Sequence, residues 1–275
     1  MIERYNRTLF FYGLSLVIPW GLWFFVAYLS HLSRQDAGLS IIEQTLGLIG
    51  LVSTVLVAGY LFLNNRELFE DLQGRFLPKK DISVIYYVMT IGLVFVSLVI
   101  AQILSLGFGH HMNQFYISGK PSFSSTVFSP WFILVFAPIV EELAWHSYGT
   151  DTLRRRFCLF TTSMIFSVYW VFWHIPLSFI KGYYHANVVA EGWIYSLNFI
   201  FSLFVFVILM NWLYYKTHRN VTIAIVFHLT ANITNEMFAT HPDSKVIQTV
   251  LLLFVAVFVV SKERKMFFTK ELLET

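Results

Sequence analysis

"PIVEELAWHSYGT", residues 138–150, is the stretch that decides how this chain is read. Two adjacent acids, Glu141 and Glu142, follow ten residues of nearly pure hydrocarbon, Trp131 to Val140. His146 stands four positions after Glu142. A carboxylate at membrane depth is expensive unless it is paired, hydrated or protonated, and ionisable side chains inside spans mark transport paths or reaction sites by default. The first question is therefore whether this stretch lies in a membrane, and the second is what stands around it.

The composition answers the first. Of 275 residues, 57% are hydrophobic and 13% charged, against about 25% charged in a soluble domain. Mean hydropathy is +0.64. One cysteine, Cys158, excludes an internal disulfide framework. A net charge of +3 carries no nucleic-acid signature, and no nucleic acid is expected as a partner. A membrane-crossing helix needs about 20 apolar residues. On that rule the chain has eight spans: 8–29, 41–63, 82–108, 127–148, 157–180, 192–215, 220–238 and 245–261. The expected fold is all-α, a polytopic bundle of eight transmembrane helices forming one domain over 1–275, with a motif-bearing core at about 127–238. No small-x-small cleavage site follows the first span, so it reads as a retained helix and not as a signal peptide.

The basic residues sort onto alternate loops. Fifteen of the 19 Lys and Arg fall on the side of the two tails and the second, fourth and sixth loops. Arg34, Lys120, Lys181 and Lys245 fall on the other. Positive loops stay inside, so both termini are expected in the cytoplasm. The triplet Arg154–Arg156 reads as part of this signal, in contact with anionic lipid. The compact loops point to a prokaryotic cell membrane. The many Phe, Tyr and Trp read as mostly lipid-facing and interfacial packing.

Three spans carry polar groups at depth. Residues four apart share a helix face and neighbours do not. Glu142 therefore faces with His146, and Glu141 with Trp145. "SVYWVFWHIPLSF" (167–179) carries His174, with Pro176 two residues on to break or kink the helix. "VFHLTANITNE" (226–236) puts His228 and Asn232 on one face. At the helical rise, Glu141 lies ~15 Å, His228 ~12 Å, Asn232 ~18 Å and His174 ~26 Å from the cytoplasmic ends of their spans. If "FCLFTT" (157–162) lies in the interface, the four converge in the cytoplasmic half of the membrane. A carboxylate and an imidazole around one water form a general base. A second imidazole with an amide forms the donor pair of an oxyanion hole. Such a set suits hydrolysis of an amide or ester.

"EELAWH", "WVFWHIPL" and "HLTAN" resemble, in order and each on its own span, the three motifs of the CAAX protease and bacteriocin-processing family, of the Ras-converting prenyl endopeptidase type. The family pattern is Glu-Glu-x-x-x-Arg, Phe-x-x-x-His and His-x-x-x-Asn, on an eight-helix membrane bundle. The resemblance implies that Glu141 activates water, His174 holds and polarises it, His228 and Asn232 stabilise the oxyanion, and Glu142 supports the site. It implies no cofactor, and membrane lipids and a prenylated or otherwise hydrophobic peptide as partners. Two positions depart from the pattern: His146 replaces the arginine and Trp170 the phenylalanine. A histidine can bond Glu142 only singly, where arginine offers a two-bond fork, so Glu142–His146 is expected as a substitute pair. Other readings stay open. Glu141, His174 and His228 also form a three-ligand zinc set with water in the fourth position. Buried Glu and His also carry protons in transporters, and a non-catalytic immunity protein would keep the same motifs as structure.

Overall fold

A computed structural model describes residues 1–33, 36–77, 82–125 and 127–270. Arg34, Lys79 and Lys80 of the charge count lie outside the described residues. The described residues are mostly helical, with one isolated bridge, Ile117 to Phe238, and no sheet.

The helices run in chain order as α1 (Thr8–Ser30), α2 (Ala37–Leu63), α3 (Arg66–Gln73), α4 (Val84–Leu106), α5 (Pro130–Ala144), α6 (Thr150–Arg154), α7 (Leu159–His174), α8 (Tyr184–Glu191), α9 (Trp193–Lys216), α10 (Val221–Met237), α11 (Pro242–Lys262) and α12 (Arg264–Phe268). Their ends follow local chemistry. The Asp36 side chain accepts from Leu39 N at 2.9 Å and starts α2. Asn65 and Asn220 cap α3 and α10 in the same way. Proline opens α5 and α11 at the first turn, where its missing N–H is harmless. Pro176 ends α7 as its position predicts: the chain passes into a 3₁₀ segment, Ile175–Phe179, and then bends by 86° into α8.

Five helices are long and apolar enough to cross a membrane: α1, α2, α4, α9 and α11. The bent pair α7–α8 makes a sixth if counted as one span. The two remaining expected spans coincide with helices that are short or interrupted. α5 has 15 residues before a π-helical turn, Trp145–Gly149, leads into α6. α10 has 17 residues, and its second half is polar. These are the helices that carry the acids, His228 and Asn232. They sit inside the bundle: α5 packs against α2 and α10, and α10 also against α4 and α9. α1 pairs with α2, α4 with α11, and α9 with α7 and α11.

The aromatic residues divide in two. Phe24, Phe25, Phe201 and Phe258 are exposed on outer faces, in line with the expected lipid contact. Trp145, Trp170, Trp173, Tyr148, Phe166 and Phe227 are fully buried instead. They pack among α1, α2, the end of α5, α7 and α9, where large rings fill the interior.

One end of the bundle, the end with the two tails, is tied by a charged lattice. Asp151 is fully buried and receives Arg75 Nη1 at 2.8 Å, Arg219 Nε at 3.0 Å and the Tyr215 hydroxyl at 2.8 Å. Arg219 also reaches Asp71 at 2.9 Å. Two non-glycine residues, His218 and Arg219, adopt left-handed φ of 56° and 63° to turn the chain back into this lattice. Two of the three arginines read as a lipid-facing topology signal are engaged within the protein. Arg154 is buried and donates to the carbonyls of Phe157, Thr269 and Lys270, which pins the C-terminal tail. Arg155 pairs with Glu3 at 3.2 Å.

Candidate active site

Glu141 and Glu142 occupy the last turn of α5, one turn after Pro138. Pro138 removes one backbone donor, and the π turn that follows widens the helix at His146 and Ser147. A π turn leaves carbonyls without their usual partner. The Tyr214 hydroxyl takes that of His146 at 2.6 Å, and Arg75 Nη2 takes that of Ser147 at 2.8 Å.

Glu142 has no exposure to solvent, and both its oxygens are used. Oε1 accepts from His228 Nδ1 at 2.7 Å. Oε2 is paired with His146 Nδ1. The expected Glu142–His146 pair is therefore present. The other ring nitrogen of His146, Nε2, donates to Asn211 Oδ1 at 2.9 Å. Asn211 Nδ2 in turn donates to Ser163 Oγ at 2.9 Å, and the Ser163 hydroxyl donates to Leu159 O. His146 thus bridges Glu142 and Asn211 through its two ring nitrogens.

Glu141 points differently. Its Oε2 accepts from Trp170 Nε1 at 3.2 Å. His174, the last residue of α7, donates from Nδ1 to the Trp170 carbonyl at 2.7 Å. That fixes the tautomer and leaves Nε2 as the nitrogen available to a water. His228 likewise spends Nδ1 on Glu142, and its Nε2 is the remaining nitrogen.

Glu141, His174, His228 and Asn232 all line one cavity of about 470 Å³, from three helices far apart in sequence. The volume is that of a ligand pocket. Glu142 and His146 sit behind it, buried. The remaining wall is largely apolar, with Trp173, Leu203, Phe206 and Leu252 among its residues. Glu141, His174 and His228 do not bring three ligand atoms within 4.8 Å of one another in this arrangement; among the described residues another cluster does.

The cavity's exposed lining residues are Ser124, Lys181 and Gly182, with Ser40 and Glu43 of α2 beside them. All belong to the loop end opposite the tails. The sequence led to termini on the cytoplasmic side and to a site opening in the cytoplasmic half. The mouth of the cavity lies at the end of the bundle away from the tails, and His174 closes α7 toward that end.

Three residues that touch this site were missed in the sequence. Asn211 stands alone in an otherwise apolar span, a signal that was readable. Glu236 lines the cavity and accepts from Ser122 N at 2.6 Å. His185, on α8, stacks on His174 with ring centroids 4.9 Å apart and 29° between planes. Its stretch reads as a plain loop, and only the 86° bend returns it to the cavity.

Residues 123–234 match the family described as type II CAAX prenyl endopeptidase, Rce1-like. A relative from Methanococcus maripaludis, "CAAX prenyl protease 2", is 33% identical over 273 residues, covering 97% of each chain. The chain belongs to the type II CAAX prenyl endopeptidase family. It is a hydrolase, a membrane endopeptidase. The matched family segment contains all three motifs, from Glu141 to Asn232. The Rce1-like endopeptidase described here carries His146 and Trp170 where the family pattern has Arg and Phe.

Proposed function

We propose that the protein cleaves a peptide bond within the membrane with water activated by Glu141 and His174. His174 Nε2 accepts one water proton in a hydrogen bond and orients the molecule. Glu141 removes the other as the oxygen attacks the carbonyl carbon. Negative charge develops on the carbonyl oxygen, opposite the Asn232 amide and Nε2 of His228, which donates as the imidazolium held at Nδ1 by Glu142. When the carbon–nitrogen bond breaks, the proton on Glu141 passes to the leaving amine. Glu142 and His146 hold His228 in place. The observation that carries this reading is the sharing of one cavity by Glu141, His174, His228 and Asn232.

The apolar wall suits a substrate with a lipid or a hydrophobic segment. The named relative makes the C-terminal tripeptide of a prenylated CAAX-type protein the first substrate to try, with a bacteriocin-like peptide next. The direct test is cleavage of a farnesylated CAAX peptide by purified protein and by Glu141→Ala, His174→Ala and His228→Ala, each with and without chelator. Cleavage lost in all three and indifferent to chelator is expected. Loss on chelation with recovery on added zinc would replace this mechanism by the zinc version.

We further propose that α5 with its π turn, and α10, complete eight spans in a prokaryotic cell membrane, with both tails cytoplasmic. With Arg75, Arg154 and Arg219 discounted as engaged within the protein, the tail side still holds most of the Lys and Arg. The cavity mouth then lies toward the opposite leaflet.

A further inference from the structure

Outside the cavity, three side chains converge between the loop after α4 and the start of α11. His110, His241 and Asp243 each offer one ligand atom, and these atoms lie within 4.8 Å of one another. His110 Nε2 is 3.1 Å from Asp243 Oδ2, and His241 Nδ1 is 3.6 Å from the same oxygen. The two imidazole rings lie nearly face to face, with centroids 4.1 Å apart and 34° between planes. The second carboxylate oxygen, Oδ1, accepts from the Tyr195 hydroxyl at 2.8 Å, which holds Asp243 with Oδ2 toward the histidines.

The backbone around them is held independently. Gln102 donates to Gln114 O at 3.0 Å and to Thr240 Oγ1 at 2.9 Å. The Ser244 hydroxyl donates to Gln114 Oε1 at 2.7 Å. These buried amides bring the two segments together before any ligand arrives, so the cost of assembling the cluster is already met by the fold.

We propose that His110, His241 and Asp243 bind one divalent transition-metal ion of the zinc type, with water completing the shell. Two imidazole nitrogens and one carboxylate oxygen form a borderline donor set, unlike the all-oxygen shells of calcium and magnesium. Ligand atoms held about 2.1 Å from a tetrahedral ion lie about 3.4 Å from each other. The observed nitrogen–oxygen separations, 3.1 and 3.6 Å, bracket that edge. The ion replaces the direct approach of His110 Nε2 to Asp243 Oδ2, and takes the His241 Nδ1 lone pair that now accepts Asp243 N at 3.2 Å. The Tyr195 hydroxyl is the outer partner that metal-bound carboxylates commonly have. Bound there, the ion clips α4 to α11 at the loop end of the bundle.

The test is cobalt(II) titration of the full chain in detergent, without a polyhistidine tag, followed by visible absorption and thermal unfolding. One ion per chain and a rise in unfolding temperature with added zinc are expected. His110→Gln with His241→Gln should abolish uptake. Tyr195→Phe, which keeps all three ligands, should weaken it about 10-fold. Glu141→Gln with His174→Gln should leave it intact. The proposal falls if the wild type takes up no ion. It also falls if uptake is lost in the Glu141/His174 variant and kept in the His110/His241 variant. If it stands, a chelator acting on stability has a target outside the catalytic cavity, and its effect on turnover must be read in the His110/His241 variant.

Discussion

At Trp170 an indole stands where the family pattern has a phenyl ring, and its Nε1 reaches Glu141 at 3.2 Å. A phenyl ring fills similar space but donates nothing. Trp170→Phe should therefore leave unfolding nearly unchanged and lower turnover about 5-fold, the equivalent of one ordinary hydrogen bond of about 1 kcal/mol. Steady-state kinetics on a fluorogenic peptide would measure this, and unaltered turnover would remove Trp170 from the site. His146 sets a second test. His146→Ala strands Glu142 Oε2 and Asn211 Oδ1 in a dry interior, which costs about 1–3 kcal/mol. His146→Arg supplies donors for both. Arg is expected to retain activity that Ala loses; the reverse order would refute the pair's role. The six residues singled out in the sequence were legible because polar side chains stand out in apolar spans. Asn211 escaped because a single asparagine in a span is common interhelical glue.

Among the elements, the π turn at Trp145–Gly149 is the least legible and does much of the positioning. Nothing in "WHSYG" signals hydrogen bonds between residues five apart. The turn persists because Tyr214 and Arg75, distant in sequence, take its carbonyls. It also brings α1 close. A Cβ added at Gly149 would lie 2.9 Å from a Phe11 ring carbon and 3.3 Å from the Tyr12 hydroxyl. Phe11 is fully buried and has nowhere to move. Gly149→Ala should lower stability by about 1–3 kcal/mol through overpacking, measured as the unfolding temperature in detergent. A wild-type value would mean that the two helices separate freely. Pro176 did announce the end of α7, but its consequence did not show in the sequence: the 86° return that brings His185 onto His174 depends on packing against α9.

For the molecule as a whole, the charged lattice is the main fixed point at the tail end. Burial pushes the Asp151 carboxyl up, but Arg219 and Arg75 outweigh it and hold the group below the ordinary aspartate value. A group lowered in the folded state stabilises above its unfolded value, near 3.9, and loses that contribution as pH falls through the lowered one. Melting temperature should therefore drop steeply below about pH 4, and less so in Asp151→Asn. That variant should itself be destabilised at neutral pH by about 3–5 kcal/mol, because it leaves buried arginine charge uncompensated. The count of spans was legible from hydropathy only where helices are uniformly apolar. α5 and α10 blur it because one is cut short by a π turn and the other is polar in its second half. Orientation can be read directly. In a Cys158→Ser background, Ser124→Cys and Lys265→Cys should react with an impermeant thiol reagent from opposite sides of the membrane, with Lys265→Cys inside. Labelling of both from one side would overturn the arrangement of mouth and tails.

The separation of mouth and tails has a practical side. The first and last described residues, Met1 and Lys270, lie at the pole away from the cleft. A bead, an electrode surface or a fluorescent fusion attached through either end leaves the substrate's approach clear. Immobilised protein should then turn over peptide as freely as protein in a micelle.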